Sequence, residues 1–260
     1  MAKEEEEVSW YDWQWNHFLS GLDPSGLARR IAEKAVSFLG SRQVETGTYS
    51  GILTPQAASD LLDVLGQSFL GENLYKNKTR LKEKTGTRCF SERLTIVDAG
   101  TVGMDAFPFD GEGIASKATT VVREGIFQTF LYDTYYGMKF GRPSTGNGVR
   151  SGIRTPPVCA VRGLFIEGGP RDVAQGFTDG VVIEELMGTH TANPVTGDFS
   201  LRAIGHLFRD GIPTPFKGVV FAGNIFDIFG NVVEVGNDLR FYGSVGCPSL
   251  LVDGLKISGT

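Results

Sequence analysis

The chain has 260 residues and a formal net charge of −5 at pH 7, with 41% hydrophobic and 21% charged residues. These values are ordinary for a globular protein, and without a positive excess they argue against a nucleic-acid partner. No apolar run approaches the roughly 18 residues of a membrane span, and the N-terminus is acidic, unlike a secretory signal peptide. We therefore expect a cytoplasmic protein that binds neither nucleic acid nor membrane.

The first 21 residues combine an acidic run with three tryptophans, Trp10, Trp13 and Trp15. An acidic run is typical of a solvated tail, but a solvated tail does not need large aromatic side chains. We expect these rings to pack on the rest of the chain or on a partner. Residues 22–260 are expected to form one α+β domain, helical over about 22–85 and strand-rich over about 90–260.

Two helices are predicted in the first third of the chain. The pairs Asp23-Pro24 and Thr54-Pro55 each supply an N-cap followed by proline at the first helical position, and Gly40 and Gly71 end the two helices. The second helix has a continuous apolar face, formed by Ala58, Leu61, Leu62, Leu65 and Phe69.

Short apolar runs separated by glycine-rich turns predict strands beyond residue 90. Glycine is abundant, with 35 residues, about 13% of the chain against a typical ~7%. We expect a mostly antiparallel sheet. Strands are predicted at Tyr49–Leu53, Leu94–Val97, Thr119–Arg123, Ile126–Tyr132, Ala203–Phe208, Lys217–Phe221 and Leu250–Ile257, with a short helix from Asp133 to Phe140. The strands at Ala203–Phe208 and Lys217–Phe221 are predicted to form a hairpin with Arg209-Asp210-Gly211 at its tip.

Four glycine-rich polar turns are the most informative local feature, at residues 109–113, 144–148, 195–200 and 235–238. Because glycine allows two backbones to approach closely, we expect these turns to line a ligand groove with main-chain groups. The candidate substrate-binding residues in them are Asp110, Glu112, Thr145, Gly146, Asn147, Thr196, Gly197, Asp198, Asn237 and Asp238.

The reactive side chains do not form a recognisable catalytic motif. The three histidines and three cysteines are scattered, which argues against both a zinc motif and a disulfide framework. No nucleophile elbow, P-loop or dinucleotide fingerprint occurs. Asp110 and Glu112 are a candidate acid–base pair, although carboxylates in glycine-rich turns more often accept backbone N–H bonds.

The turns and their order resemble the TldD/TldE (PmbA) family of peptide-maturation metalloproteases, over roughly residues 22–260. The resemblance implies an α+β domain of mostly antiparallel, barrel-like strands with a few flanking helices. The segments that carry it are residues 107–113, 124–125, 132–141, 144–147, 195–200, 222–224, 235–238 and 248–259.

The resemblance also implies a cytoplasmic two-subunit protease that cleaves unstructured peptides. Its TldD-type subunit binds one zinc ion through His-Glu-x-x-x-His on a helix and a later cysteine. Here the motif positions would be Leu62, Asp63 and Gln67, and Cys247 lies near the cysteine position. Leucine and glutamine cannot replace two imidazoles as zinc ligands. The chain therefore resembles the TldE/PmbA type, with no cofactor of its own and zinc expected only in a TldD-like partner.

Family members have an N-terminal domain before the Asp23 helix, where this chain has the acidic, Trp-rich residues 1–21. The leading hypothesis is a non-zinc subunit that completes the substrate channel and holds an unfolded peptide as an added strand. One alternative is a stand-alone peptide-binding or scaffold homodimer, and another is a hydrolase using Asp110 and Glu112. We also expect a dimer, with the aromatic Phe216–Phe229 stretch at its interface.

Overall fold

The helices of the computed structural model, which describes residues 8–259, begin at the predicted caps. The side chain of Asp23 accepts a hydrogen bond from the Gly26 N–H (2.9 Å), and that of Thr54 accepts one from the Ala57 N–H (3.5 Å). The acidic run at residues 4–7 lies outside the described residues. The helices are α1 (Pro24–Ser37), α2 (Pro55–Gly66), α3 (Gly71–Tyr75), α4 (Thr134–Lys139) and α5 (Ile225–Gly230), with single 3-10 turns at Leu19–Gly21, Gln67–Phe69 and Thr189–Thr191.

Helix α2 ends before the predicted stop at Gly71, because the following backbone pairs with another segment. The Leu131 N–H donates to the Phe69 carbonyl and the Gly71 N–H donates to the Leu131 carbonyl, both at 2.8 Å. These bonds replace the i→i−4 bonds that would continue the helix. The predicted Ile126–Tyr132 strand is shortened to its first two residues.

Fourteen strands lie within the described residues, more than the sequence predicts. The predicted strand at Leu94–Val97 is found two residues later, and the strand at 180–187 was not predicted. In chain order the strands are β1 (Gly47–Leu53), β2 (Ile96–Ala99), β3 (Ala118–Arg123), β4 (Ile126–Phe127), β5 (Gly148–Val149), β6 (Val158–Cys159), β7 (Leu164–Ile166), β8 (Gly180–Met187), β9 (Asp198–Arg209), β10 (Ile212–Asn224), β11 (Val232–Val235), β12 (Arg240–Tyr242), β13 (Val245–Cys247) and β14 (Leu250–Ser258).

Five strands close into a barrel in the order β1-β8-β9-β10-β14, with β14 pairing back to β1 and β11 attached outside β14. Strands β1 and β8 run parallel, and the other neighbours are antiparallel. The predicted β9–β10 hairpin is confirmed and is longer than expected, with Asp210-Gly211 at its tip. A Cβ atom at Gly205 would lie 1.9 Å from the Val182 carbonyl oxygen, so glycine lets β9 approach β8 there.

A second sheet has the order β12-β13-β7-β2-β3-β4, and β5 and β6 form a separate two-stranded ribbon. In the second sheet β13 and β7 are parallel, and the other pairs are antiparallel. The fold is therefore α+β with mostly antiparallel strands and a barrel, as the sequence predicts.

Helix α2 packs between the two sheets, against β8 on one side and β7, β12 and β13 on the other. Its predicted apolar face is confirmed, since each of the five side chains is at most 1% exposed. Among residues 8–259, no helix combines the length and the apolar character of a membrane span.

The aromatic Phe216–Phe229 stretch lies mainly in the core. Phe216, Phe221 and Phe229 are fully buried, and the half-buried ring of Phe226 stacks on Phe90 with centroids 6.2 Å apart. The expectation that this stretch forms an interface is wrong for the buried rings, because they already pack inside one chain. Dimer formation itself stays a prediction.

Candidate functional site

The carboxylates of the 109–113 turn are hydrogen bonded within the chain. Asp110 is 5% exposed, and its oxygens accept from the N–H groups of Glu112, Ile114 and Gly148, each at 2.9 Å. Glu112 Oε2 accepts from the N–H and the hydroxyl of Thr134 at 2.8 and 2.7 Å, at the start of α4. Both carboxylates thus accept backbone N–H bonds within the chain, as carboxylates in glycine-rich turns commonly do, and an acid–base role for the pair stays a hypothesis.

The 144–148 turn joins the same network. The Thr145 hydroxyl accepts from the Tyr132 N–H (2.7 Å) and donates to Asn147 Oδ1 (2.6 Å). Asn147 is 1% exposed, and its amide donates to Asp98 Oδ2 (2.6 Å) and to the Ala160 carbonyl (2.9 Å). Every polar atom of the Asn147 side chain therefore has an internal partner.

Asp98 and Arg162 stand at the centre of this network, and the sequence analysis missed both. Asp98 Oδ1 accepts from the backbone N–H groups of Arg162 (2.9 Å) and Gly163 (3.1 Å). Burial raises the pKa of Asp98, against the opposing effect of these bonds and of the Asn147 amide. The Arg162 guanidinium donates to Ser116 Oγ (2.6 Å) and to four carbonyl oxygens, including that of Gly146. In the sequence, Asp98 and Arg162 could have been identified only as charged residues that stand next to apolar residues in or beside a strand.

A cavity of about 530 Å³ opens beside this network. Phe107 and Phe109 lie at its wall, each about half exposed, with their rings edge to face and centroids 4.7 Å apart. Arg150 and Arg162 line the cavity together with Asp105 and Asp110, so its lining carries charges of both signs. Aromatic rings beside charged groups suit a peptide segment with apolar and polar side chains.

The 195–200 turn has different partners. Asn224 donates through Nδ2 to the Thr196 carbonyl and to Asp198 Oδ1, both at 2.8 Å. The hydrogen bond from Asn224 lowers the pKa of the exposed Asp198. Gly197 has φ +81°, and a Cβ there would lie 2.7 Å from the Phe226 ring. This glycine therefore accommodates a side chain of its own chain.

The 235–238 turn forms a third group. Asp238 accepts from the backbone N–H and the hydroxyl of Ser249 at 2.8 and 2.6 Å, and Asn237 is exposed. The structure thus brings together the candidates of the first two turns and gives the last two turns separate partners. A substrate-binding role for the candidate residues stays a prediction.

The outer face of α2 is acidic. Burial, followed by the charges of Asp63 and Glu185, raises the pKa of Asp60 to about 7. Asp63 on the same helix and Gln67 in the 3-10 turn that follows it are exposed, whereas Leu62 is fully buried. Burial also raises the pKa of Asp63 and of Glu185, so this face holds three carboxyl groups that resist ionisation.

The residues at the positions that the resemblance assigns to the zinc motif do not suit a zinc ion. Leu62 has no donor atom and points into the core, and burial raises the pKa of the enclosed Cys247 thiol well above its ordinary value, against the thiolate that zinc needs. Within residues 8–259, no group of three or more His, Cys, Asp or Glu side chains is placed to hold a metal ion.

Comparisons with known proteins place this fold. Residues 46–259 match the family model of the PmbA/TldA metallopeptidase C-terminal domain. An uncharacterised protein of Methanocaldococcus jannaschii is 33% identical over 88% of this chain and 53% of its own length. Metalloprotease PmbA of Escherichia coli is 29% identical over 91% of this chain and 51% of its own length.

Among solved structures, TldE of Thermococcus kodakarensis superposes with a TM-score of 0.85 at 26% identity, covering 92% of this chain and 56% of that one. The chain spans about half the length of the curated relatives it matches. A family-model match over most of the chain, together with this common fold, shows that the chain belongs to the PmbA/TldD metallopeptidase family.

Proposed function

We propose that this chain is a TldE-like, zinc-free subunit of a cytoplasmic two-subunit metallopeptidase that processes or degrades unfolded peptides. One observation carries the proposal. Helix α2 lies between the two sheets, and of the positions that the resemblance assigns to the two zinc-binding histidines, Leu62 is buried in the core and Gln67 carries an amide. A chain of this family without the ligands has a supporting task, and a TldD-like partner supplies the zinc.

In this proposal the subunit completes the substrate channel. The Asp98–Arg162 network holds two turns rigidly, and the cavity beside Phe107 and Phe109 receives side chains of the peptide. Strand β12 ends the second sheet, so its outer edge suits pairing with an extended backbone. The chain's own residues bind and orient the peptide, and hydrolysis takes place in the partner.

The test combines metal content with activity. We expect the purified chain to bind no stoichiometric zinc after dialysis, and to cleave neither casein nor unfolded peptides alone. Adding a zinc-bearing TldD-like subunit is expected to produce a complex and peptide cleavage. The measurements are elemental analysis, co-elution and a fluorescent peptide assay.

Three outcomes would contradict the proposal in different ways. Stoichiometric zinc that is lost on mutating His190 or His206 would reveal a metal site in this chain. Cleavage by the chain alone that is abolished by Asp110→Asn would favour the hydrolase hypothesis. Peptide binding by a homodimer that forms no complex with a TldD-like subunit would favour the stand-alone scaffold.

A further inference from the structure

The N-terminal segment, defined here as residues 10–17, lies across the body of the protein. The indole of Trp10 stacks on the ring of Phe38, just after α1, with centroids 5.1 Å apart and planes 8° apart. Lys34 Nζ lies 6.0 Å from the centroid of the same indole. One end of the segment is thus held by a flat aromatic surface with a cation beside it.

Arg240 on β12 binds the next part of the segment. Its Nη2 donates to both carboxylate oxygens of Asp12 (3.0 and 3.2 Å) and to the Trp13 carbonyl (3.4 Å). The guanidinium lies over the Tyr242 ring (4.9 Å), and the Trp13 ring meets Tyr242 edge-on at 6.3 Å. One arginine thus contacts a side chain and the next backbone carbonyl, a pattern suited to an extended peptide.

Tyr11, between these two anchors, faces the acidic side of α2. The charge of Glu185 on β8, followed by burial and the charge of Asp60, raises the pKa of Tyr11. Three successive side chains therefore contact α1, β8 and β12. The segment at this surface meets carboxyl groups on one side and Arg240 on the other, so the surface is acidic at one end and basic at the other.

The segment is held by side chains and is not part of a sheet. In the described part of the chain, no backbone–backbone hydrogen bond joins residues 10–17 to the rest. Tyr11 remains 64% exposed. A cavity of about 610 Å³ is left between the segment and β12, lined among others by Trp13, Trp15, His17, Arg30 and Arg240. The segment therefore does not fill the surface that it contacts.

We propose that Phe38, Arg240 and Tyr242 form a recognition site for an extended acidic-aromatic peptide, which residues 10–13 occupy in cis and a peptide of the same chemistry occupies in trans. This rests on the proposed peptide-handling role and specifies the peptide chemistry. A tethered segment acts at an effective concentration on the order of millimolar, so it excludes a free peptide until it is displaced. The segment is thus an intramolecular competitor.

The experiment measures binding of a fluorescein-labelled peptide with the sequence of residues 8–18 to the full chain by fluorescence anisotropy. The released variant carries Trp10→Ala and Asp12→Ala. We expect it to bind the peptide at least about tenfold more tightly than the wild type, because the tethered competitor is lost. Adding Arg240→Ala is expected to remove at least about tenfold of that affinity, because it deletes both the ion pair and the carbonyl contact.

The matched control is Arg171→Ala in the released variant. Arg171 is an exposed arginine that pairs with Glu234 instead, so its loss should leave peptide affinity unchanged. A charge swap supplies the folding control: the released variant with Arg240→Asp should bind a peptide carrying Asp12→Arg more tightly than it binds the original peptide. An unfolded variant would bind neither peptide, so this swap separates loss of the site from loss of folding.

The proposal is overturned if the released variant binds no more tightly than the wild type, or if Arg240→Ala and Arg171→Ala have equal effects. Binding of a scrambled peptide with equal affinity would also overturn it, since that shows unspecific adhesion. All of these experiments measure peptide binding by the isolated chain, and they involve no partner subunit, no zinc and no peptide cleavage. A negative result would therefore overturn the recognition site without bearing on the subunit proposal.

Discussion

Buried polar side chains in this protein hold turns to strands. Asp98 and Asn147 lie at 2% and 1% exposure, and their contact at 2.6 Å joins β2 to the 144–148 turn. A buried amide between a carboxylate and a carbonyl must donate both hydrogens, so its orientation is fixed. A substitution that replaces the NH2 group of Asn147 by an oxygen atom leaves buried oxygen atoms facing each other.

Asn147→Asp tests this geometry. The new carboxyl oxygen would face Asp98 Oδ2, and two carboxylates at that distance cannot both ionise without a large cost. We expect a loss of roughly 2–4 kcal/mol in the free energy of unfolding at pH 8, and a smaller loss near pH 4, where the pair shares a proton. Chemical denaturation at both pH values measures it.

The matched control is Asn237→Asp, the same change at an exposed asparagine. It should alter the free energy of unfolding by less than about 0.5 kcal/mol at either pH. Equal effects of the two substitutions would show that the Asp98–Asn147 contact does not contribute to stability.

Asp60 provides a pH-dependence with a defined sign. Its pKa rises to about 7 in the folded chain, chiefly through burial, so the fold favours the neutral carboxyl. The stability that comes from protonated Asp60 is fully present below the pKa of this carboxyl in the unfolded chain, about 4. It is lost as the pH rises through the folded pKa of about 7. Ionised Asp60 therefore weakens the folded state at alkaline pH.

Asp60→Asn is accordingly expected to raise the free energy of unfolding by roughly 1–3 kcal/mol at pH 8 and to change it little at pH 4. Urea denaturation across this range is the measurement. Asp253→Asn, an exposed carboxylate on β14, is the control and should show no such pH-dependence. A constant difference between Asp60→Asn and the wild type at all pH values would contradict the prediction.

At the scale of elements, α1 depends on a charged cluster for its attachment to the barrel. Only Gly26 of this helix is buried. The buried Glu184 of β8 pairs with Lys34 of α1 and with His206 Nδ1 of β9 (2.8 Å), and His206 Nε2 lies 3.3 Å from the Ser37 carbonyl. The helix that carries Phe38 toward the N-terminal segment is thus fixed through Glu184.

Glu184→Gln keeps the shape of this side chain and removes its charge. We expect roughly 1–3 kcal/mol of local destabilisation of α1, seen as faster hydrogen exchange over residues 24–37 and faster tryptic cleavage at Arg29 and Arg30. Glu33→Gln, at an exposed position of the same helix, should leave both rates unchanged. Global unfolding without a selective change in α1 would contradict this prediction.

The contacts of Glu184 with Lys34 and His206 are predicted to depend on pH. Burial acts to raise the pKa of Glu184, but the His206 hydrogen bond and the Lys34 charge outweigh it, so the pKa lies below its ordinary value. Its contribution is therefore present above about pH 4 and is lost as the pH falls through the folded pKa. Protection of α1 should fall on acidification in the wild type and not in Glu184→Gln.

At the scale of the whole molecule, the barrel and the second sheet share α2 as their common core. The chain covers about half of the length of the related sequences. Because the buried rings of the Phe216–Phe229 stretch cannot contact a partner, a dimer would form through another surface. The surface beside β12, partly covered by residues 10–17, is one that the fold leaves accessible.

The sequence by itself determined the helix caps, several of the strands and the family. Asp23 and Thr54 cap their helices as predicted, because a cap depends on residues within one turn. The β9–β10 hairpin and the apolar face of α2 were likewise readable, since alternation and helical periodicity are local patterns. The ordered series of turns sufficed to indicate the family.

Only the tertiary structure decided which distant residues meet. Asp98 and Arg162 are 64 positions apart, and no local pattern indicates that one accepts the backbone N–H of the other. The parallel β1–β8 pairing and the closure through β14 likewise join segments that are remote in sequence. Arg240 lies 228 residues from Asp12, and their contact exists because the barrel and the second sheet bring α1, β8 and β12 to one surface. Such contacts depend on long-range packing, and therefore appear only when the whole chain is folded.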